Sequence, residues 1–290
     1  MGIKITGLNY VYMQGSPFEK QALTDVNLEI SDGEFVGLIG HTGSGKSTLI
    51  QHLNGLLKPH SGEITVNGKD TVFRGADLKE LRREVGLVFQ YPEHQLFEET
   101  VYKDISFGPK NMGLSQKEVD ERVREAMDYV GLDESYMQLS PFDLSGGQKR
   151  RVAIAGVLAM KPGTLILDEP TAGLDPAGRE EILTQVKALY LKSKMTVILV
   201  SHSMEDVARI ANRIIVMNKG RVAMDGKVGE IFARGDELRK MGLNVPQVRM
   251  LVDELIRRGV PLEPNIYTVE KAKAALRLLL KEKLSAGEAD

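Results

Sequence analysis

The sequence predicts an α/β fold built on a parallel sheet, and three observations carry that expectation. Short apolar runs at 35–39, 85–89, 164–168 and 196–200 have the length and composition of strands buried on both faces. Helical stretches separate them, so strands and helices alternate along the chain. A glycine-rich loop follows the first run and leads into a helix, the strand, loop and helix order that a phosphate-binding loop requires.

Taken in order, residues 3–12 and 23–30 read as strands joined by a polar loop through Gly15-Ser16-Pro17. Gly62–Gly68 is a further strand, and the three make a peripheral antiparallel β subdomain. Asp32-Gly33 is a turn before the run Phe35–Ile39, and a helix starts near Lys46. Val85–Phe89 is a buried strand ending at Gln90. From about Tyr91 to Asp143 the pattern is helical, with Val119, Val123, Met127 and Val130 at helical spacing. That stretch reads as a helical insertion between core strands. Strand character returns at Thr164–Asp168 and Thr196–Val200, and Arg213–Asn218 with Arg221–Met224 flank Lys219-Gly220 as a hairpin.

After Gly235 the strand signals stop. Val248, Leu251, Val252, Leu255 and Ile256 mark one amphipathic helix. Val269, Ala272, Leu276, Leu279 and Leu280 mark another, with Thr268 as its N-cap. The end, Ser285 to Asp290, is expected to fray. The organisation expected is a domain over residues 1–235, with a helical subdomain at about 91–160, and a C-terminal helical extension over 236–290.

Composition bounds the function. Of 290 residues, 42% are hydrophobic and 27% charged, as in a soluble globular chain. With 38 basic against 40 acidic residues there is no basic field for nucleic acid. Lys149-Arg150-Arg151 reads as a solvated or ion-paired helix start. The absence of cysteine excludes disulfides, thiolate metal sites and cysteine catalysis, and fits a reducing cytoplasm. No signal-peptide pattern opens the chain, and no run approaches the roughly 20 apolar residues that span a bilayer. If the protein serves a membrane process, other chains supply the membrane part.

The chemistry-bearing residues start with Gly40-His41-Thr42-Gly43-Ser44-Gly45-Lys46-Ser47-Thr48. Glycines let backbone N–H groups turn inward around phosphates, and the helix start adds partial positive charge. Lys46 is expected to reach the β- and γ-phosphates, Ser47 to ligate Mg²⁺ and Thr48 to support the α-phosphate. Asp168 ends an apolar strand, where a carboxylate is costly unless it serves an ion, so it is assigned to Mg²⁺. Glu169 is placed as general base toward the attacking water. Gln90 can reach both Mg²⁺ and that water through its amide oxygen, and His202 sits where a γ-phosphate contact is needed. Ser145-Gly146-Gly147-Gln148 is a second anion-binding helix start, which one chain does not easily bring onto its own phosphate loop. A partner chain is the economical solution, with Asp175 on the seam. Tyr12 either stacks on the adenine of ATP or is a core or edge aromatic, and Phe18 is a weaker candidate for stacking.

Together these residues resemble the ATP-binding cassette (ABC) ATPase family across about residues 3–230. Gly40–Thr48 resembles the Walker A motif, Leu165–Glu169 Walker B, Gln90 the Q-loop glutamine, Leu144–Gln148 the signature, Asp175 the D-loop aspartate and His202 the switch histidine. A finer resemblance lies in Gln90–Val101, Phe107–Asn111 and Arg151–Met160, which are similar to ATPase subunits of energy-coupling factor (ECF) transporters. Glu93–Phe97 is similar to the second of that family's two ATPase paralogues. The resemblance implies a hydrolysing subunit at the cytoplasmic face of a membrane. Its implied partners are a second, non-identical ATPase, a transmembrane coupling protein and membrane subunits that capture vitamins or metal ions; nucleic acid is not among them. It also implies a dimer-holding role for the C-terminal helices, for which a cap on the core sheet is the alternative. A groove near Tyr91, Leu96 and Phe97 could seat a short helix of the membrane partner. The rival readings are the ATPase of a conventional ABC importer, a soluble ABC ATPase acting on DNA or ribosomes, and a subunit that binds ATP without hydrolysing it.

Overall fold

The computed structural model describes residues 2–70 and 78–287. Two sheets organise it. The first is antiparallel, with strands β1 (Gly2–Tyr12), β2 (Lys20–Ser31), β4 (Ser61–Val66) and β5 (Lys69–Asp70) in the order β2-β1-β4-β5. The second holds β3 (Phe35–Ile39), β6 (Val85–Val88), β7 (Thr164–Asp168), β8 (Thr196–Val200), β9 (Arg213–Asn218) and β10 (Arg221–Lys227) in the order β10-β9-β3-β8-β7-β6. Its pairings are parallel except for the β9–β10 hairpin.

The two-residue period of a strand sorts the core. Phe35, Ile39, Leu165, Leu167, Val197 and Leu199 face one cluster, which the helices complete. Val36, Leu38, Ile166, Ile198 and Val200 face the other, where Ile3, Ile5 and Leu8 of the antiparallel sheet meet them. Both faces of the parallel sheet are therefore covered, as its unbroken apolar runs require.

Two strands outrun their sequence signals. β2 begins at Lys20 because Lys20 pairs with Tyr12 and Gln21 with Val11, although neither residue alternates with apolar neighbours. β10 continues past Met224 to Lys227. There Arg213 reaches across the hairpin to both oxygens of Asp225, at 2.7 and 2.6 Å.

The insertion is helical as expected. It comprises α3 (Val101–Asn111), α4 (Gln116–Tyr129) and α5 (Gly146–Leu158); α1 (Lys46–Leu53) and α2 (Leu78–Glu84) precede it. A capping box between Ser115 and Glu118 starts α4. Val119, Val123, Met127 and Val130 are buried against the core, each contributing about 1.5–3 kcal/mol. Beyond it lie α6 (Pro176–Ser193), α7 (Met204–Ile210), α8 (Val228–Ala233), α9 (Gly235–Lys240), α10 (Gln247–Arg257) and α11 (Val269–Gly287).

Helices α10 and α11 enclose a small core of their own, Val252, Leu262, Ile266 and Ala272. Thr268 accepts the Lys271 N–H at the start of α11, the expected cap. The helix continues through Ser285 to Gly287, where the sequence suggested fraying; 288–290 fall outside the described residues. Among the described residues no helix is long and apolar enough to cross a membrane.

Candidate functional site

The sheet order lines up the chemistry. The phosphate loop leaves β3, His202 follows β8, Asp168 and Glu169 end β7, and Gln90 follows β6, so four neighbouring strands deliver their groups to one edge. Ligands bind beyond the carboxyl ends of strands in such sheets.

In the loop, Gly43 (φ 80°) and Gly45 (φ 104°) hold left-handed backbone. A Cβ on Gly45 would stand 2.8 Å from the Ala22 carbonyl oxygen. Because Gly45 has no side chain to cap α1, its first N–H groups are left for an anion. Lys46 folds into the loop, donating from Nζ to the carbonyls of Gly40 (2.6 Å) and His41 (3.2 Å). Burial pulls its pKa down, against the opposing pull of Glu169 and Asp168. His41 Nδ1 lies 2.7 Å from the Thr42 carbonyl, which only accepts, so that nitrogen carries the proton. Ser44 is fully buried and its hydroxyl has no partner among the described residues; Ser47 is exposed. Thr48 Oγ1 lies 3.2 Å from the Tyr12 hydroxyl. Tyr12 thus borders a cavity of about 140 Å³ with Gly43, Gly45, Lys46 and Ser47. Phe18 is 78% exposed and outside that cavity.

Glu169 adopts a left-handed backbone (φ 51°), and its N–H donates to the Val200 carbonyl at the end of β8 (3.0 Å). Its Oε2 meets His202 Nδ1 at 2.7 Å, with the carboxylate partly buried and the imidazole exposed. Burial raises the Glu169 pKa, and His202 opposes it. Asp168 is pushed up to about 6, first by burial, then by the Glu169 charge, against Lys46. No cluster of three His, Cys, Asp or Glu side chains stands ready for a metal among the described residues. Ser47, Gln90 and Asp168 instead offer a hydroxyl, an amide and a carboxylate, oxygen donors suited to Mg²⁺ held jointly with substrate phosphates. Burial and the neighbouring Glu169 charge both disfavour the Asp168 carboxylate, which a cation would relieve, so the residues fit.

Ser145 opens α5 with a capping box. It accepts the Gln148 N–H (3.4 Å), and Gln148 Oε1 accepts the Ser145 N–H (2.9 Å). Gly146 and Gly147 face open space. Among the described residues no hydrogen bond joins this helix start to the phosphate loop. Asp175 caps α6, accepting the Gly178 N–H at 2.7 Å.

Sequence reasoning missed two buried links. Asp206 accepts from Thr171 Oγ1 (3.1 Å) and Arg179 Nε (2.9 Å), joining the turn after Glu169 to the helix after His202. Arg150 is 1% exposed and pairs with Glu93. Of the two readings of Lys149–Arg151, the ion-paired one holds for Arg150 and the solvated one does not. Nothing local separates such residues from surface charges, since Arg150 stands between Lys149 and Arg151.

Behind the site, Leu96, Phe97, Phe107, Val152 and Gly156 line a groove of about 670 Å³, with Phe97 and Phe107 exposed and packed edge to face at 5.0 Å. Lys79, Arg82, Arg83 and Asp104 also line it. Leu96 and Phe97 belong to it as expected. Tyr91 does not: its left-handed backbone (φ 54°) turns the ring onto His94, 5.9 Å away.

Comparison with known proteins identifies the family. The ABC transporter family profile matches residues 23–172. The energy-coupling factor transporter ATP-binding protein EcfA2 of Clostridium perfringens is 58% identical over 97% of this chain and 99% of its own. That of Caldanaerobacter subterraneus is 59% identical over 94% and 96%. Among solved structures, cbiO1 from Clostridium perfringens, described as part of the ABC transporter complex cbiONQ, superposes with a TM-score of 0.74 at 41% identity, covering 87% of this chain and 98% of that one. The ATP-binding cassette MJ0796, a dimer in a post-hydrolysis state with ADP and Pi, gives 0.69 at 33% identity over 78% and 98%. The chain belongs to the ABC transporter ATPases. Within them it is of the energy-coupling factor type, similar over nearly its whole length to the second ATPase paralogue.

Proposed function

We propose that this chain hydrolyses ATP at a site completed by a second, non-identical cassette, and that the cycle drives uptake of vitamins or metal ions through separate membrane subunits. The observation that carries the composite site is the glycine-opened start of α5, which faces open space and, among the described residues, bonds nothing on its own phosphate loop. In this reading Gly40–Thr48 binds the phosphates, with Lys46 exchanging its carbonyl partners for phosphate oxygens and Tyr12 against the base. Glu169 takes the proton of the attacking water, held in place by His202, and Gln90 orients that water. Ser47, Gln90 and Asp168 would hold Mg²⁺, which when bound neutralises phosphate charge. Ser145–Gln148 serves the partner's nucleotide, with Asp175 at the seam.

The apolar groove, with basic side chains among its lining, supports the reading that a short helix of the transmembrane coupling protein docks there, with this chain at the cytoplasmic face of the membrane. Residues 1–235 act as the ATPase domain, and the helices from 236 onward hold the dimer.

Glu169→Gln tests the reading. It is expected to bind ATP normally yet turn over at least about 10²-fold more slowly, leaving a closed dimer that elutes intact in size exclusion. Wild-type turnover would remove Glu169 from the base role. Affinity purification from gently solubilised membranes tests the partners. A different cassette with a coupling protein and small capture subunits supports the proposal, and a conventional permease pair overturns its finer part.

A further inference from the structure

Arg150 is the bulkiest fully buried side chain among the described residues. Its guanidinium meets four acceptors on two other segments. Nε and Nη2 donate to Glu93 Oε2 (3.0 Å) and Oε1 (2.7 Å), while Nη1 donates to the carbonyls of Pro170 and Ala172, both at 2.9 Å. Each partner has a telling position. Pro170 directly follows Glu169, and the Ala172 N–H closes back on the Glu169 carbonyl at 3.1 Å. Glu93 lies midway between Gln90 and Leu96, on the segment that forms one wall of the groove. Arg150 itself is little more than one turn into α5, whose first residues form the glycine-opened start and whose Val152, Ala153 and Gly156 line the same groove.

A planar fork binding a carboxylate side-on fixes orientation as well as distance, which an ammonium cannot do. One guanidinium therefore locks together the groove segment, the helix that serves the partner's nucleotide and the turn behind Glu169. None of the three can rotate without breaking charge-assisted bonds in a buried place.

We infer that Arg150 and Glu93 are a positioning pair that makes these three segments move as one body, so that a partner seated on Leu96 and Phe97 sets the alignment of the nucleotide site. The inference rests on the groove reading given under Proposed function. Neither residue touches nucleotide; both act through the groups they hold.

The test uses the whole transporter complex, with Glu93→Gln and Arg150→Lys singly and combined. Expected is a fall in kcat for ATP of about tenfold in each single variant, with KM for ATP within about twofold. The double variant is expected to be no worse than the worse single one, and the membrane subunits still to co-purify. A raised KM with unchanged kcat, or effects that multiply in the double variant, would overturn the pairing. Should Arg150→Lys lower the melting midpoint sharply, Glu93→Gln is read alone, since its amide keeps shape and an acceptor; unaltered kcat there overturns the inference. Phe97→Ala, run in parallel, tests the groove separately. If it leaves both the membrane subunits and kcat untouched, the groove reading fails. The pair is then judged on the kcat and KM split and on non-additivity.

Discussion

At the residue scale the candidate site divides into contiguous and assembled parts. Gly40–Thr48 was legible because its backbone does the work: glycine dihedrals and a helix start are written locally. Asp168 and Glu169 were legible because charge ends an apolar strand. Arg150 with Glu93, 57 residues apart, was not, since only tertiary packing brings the two together. The environment of Asp168 yields a prediction. Its carboxyl is held up to about 6 against an unperturbed 3.8, so the folded chain keeps a proton in that interval that the unfolded chain has lost. The stability this group contributes is therefore full below 3.8 and lost as pH rises through about 6. Asp168→Asn is expected to stabilise the nucleotide-free protein near pH 7.5 by up to about 3 kcal/mol, while abolishing Mg²⁺-dependent turnover. The gain should shrink toward zero near pH 4. Urea unfolding at the two pH values decides it; no gain at pH 7.5 would mean that the buried carboxylate is not the strain it is taken to be.

At the element scale, periodicity served where one face of an element is buried and failed where pairing alone holds it. α4 announced itself through Val119, Val123 and Met127, and α10 through Val248, Val252 and Leu255. The first residues of β2 and the last of β10 did not, because Lys20, Gln21 and Asp225 owe their place to ladder bonds and a bidentate arginine. α2, seven residues with Leu81 alone buried, carries too short a pattern to read. Two helices share one device, a serine capping box: Ser115 on α4 and Ser145 on α5. Replacing either by alanine is expected to cost about 1 kcal/mol in chemical denaturation. ATP turnover should fall only for Ser145→Ala, which borders the proposed composite site. Equal turnover in the two variants would reduce Ser145 to a cap.

At the scale of the molecule, the α/β class was readable and the strand order was not. Order is a property of crossovers, and local sequence does not record whether β8 inserts between β3 and β7. The separate core of α10 and α11 was likewise invisible, since two amphipathic helices can cover a sheet or each other equally well. That small core predicts uneven melting. Scanning calorimetry of the nucleotide-free protein is expected to show a minor transition below the main one, absent after truncation at residue 244. A single cooperative transition that the truncation shifts as a whole would mean the extension is fused energetically to the sheet. The alignment of groups at the edge of β3, β8, β7 and β6 has its own consequence. Neighbouring strands repeat at about 4.8 Å, a spacing fixed by peptide hydrogen bonds rather than by side-chain volume. The reach from phosphate loop to glutamine is thus counted in whole strands. Drift in core residues can tune how firmly the sheet holds, but it cannot stretch that ruler by a fraction of a division.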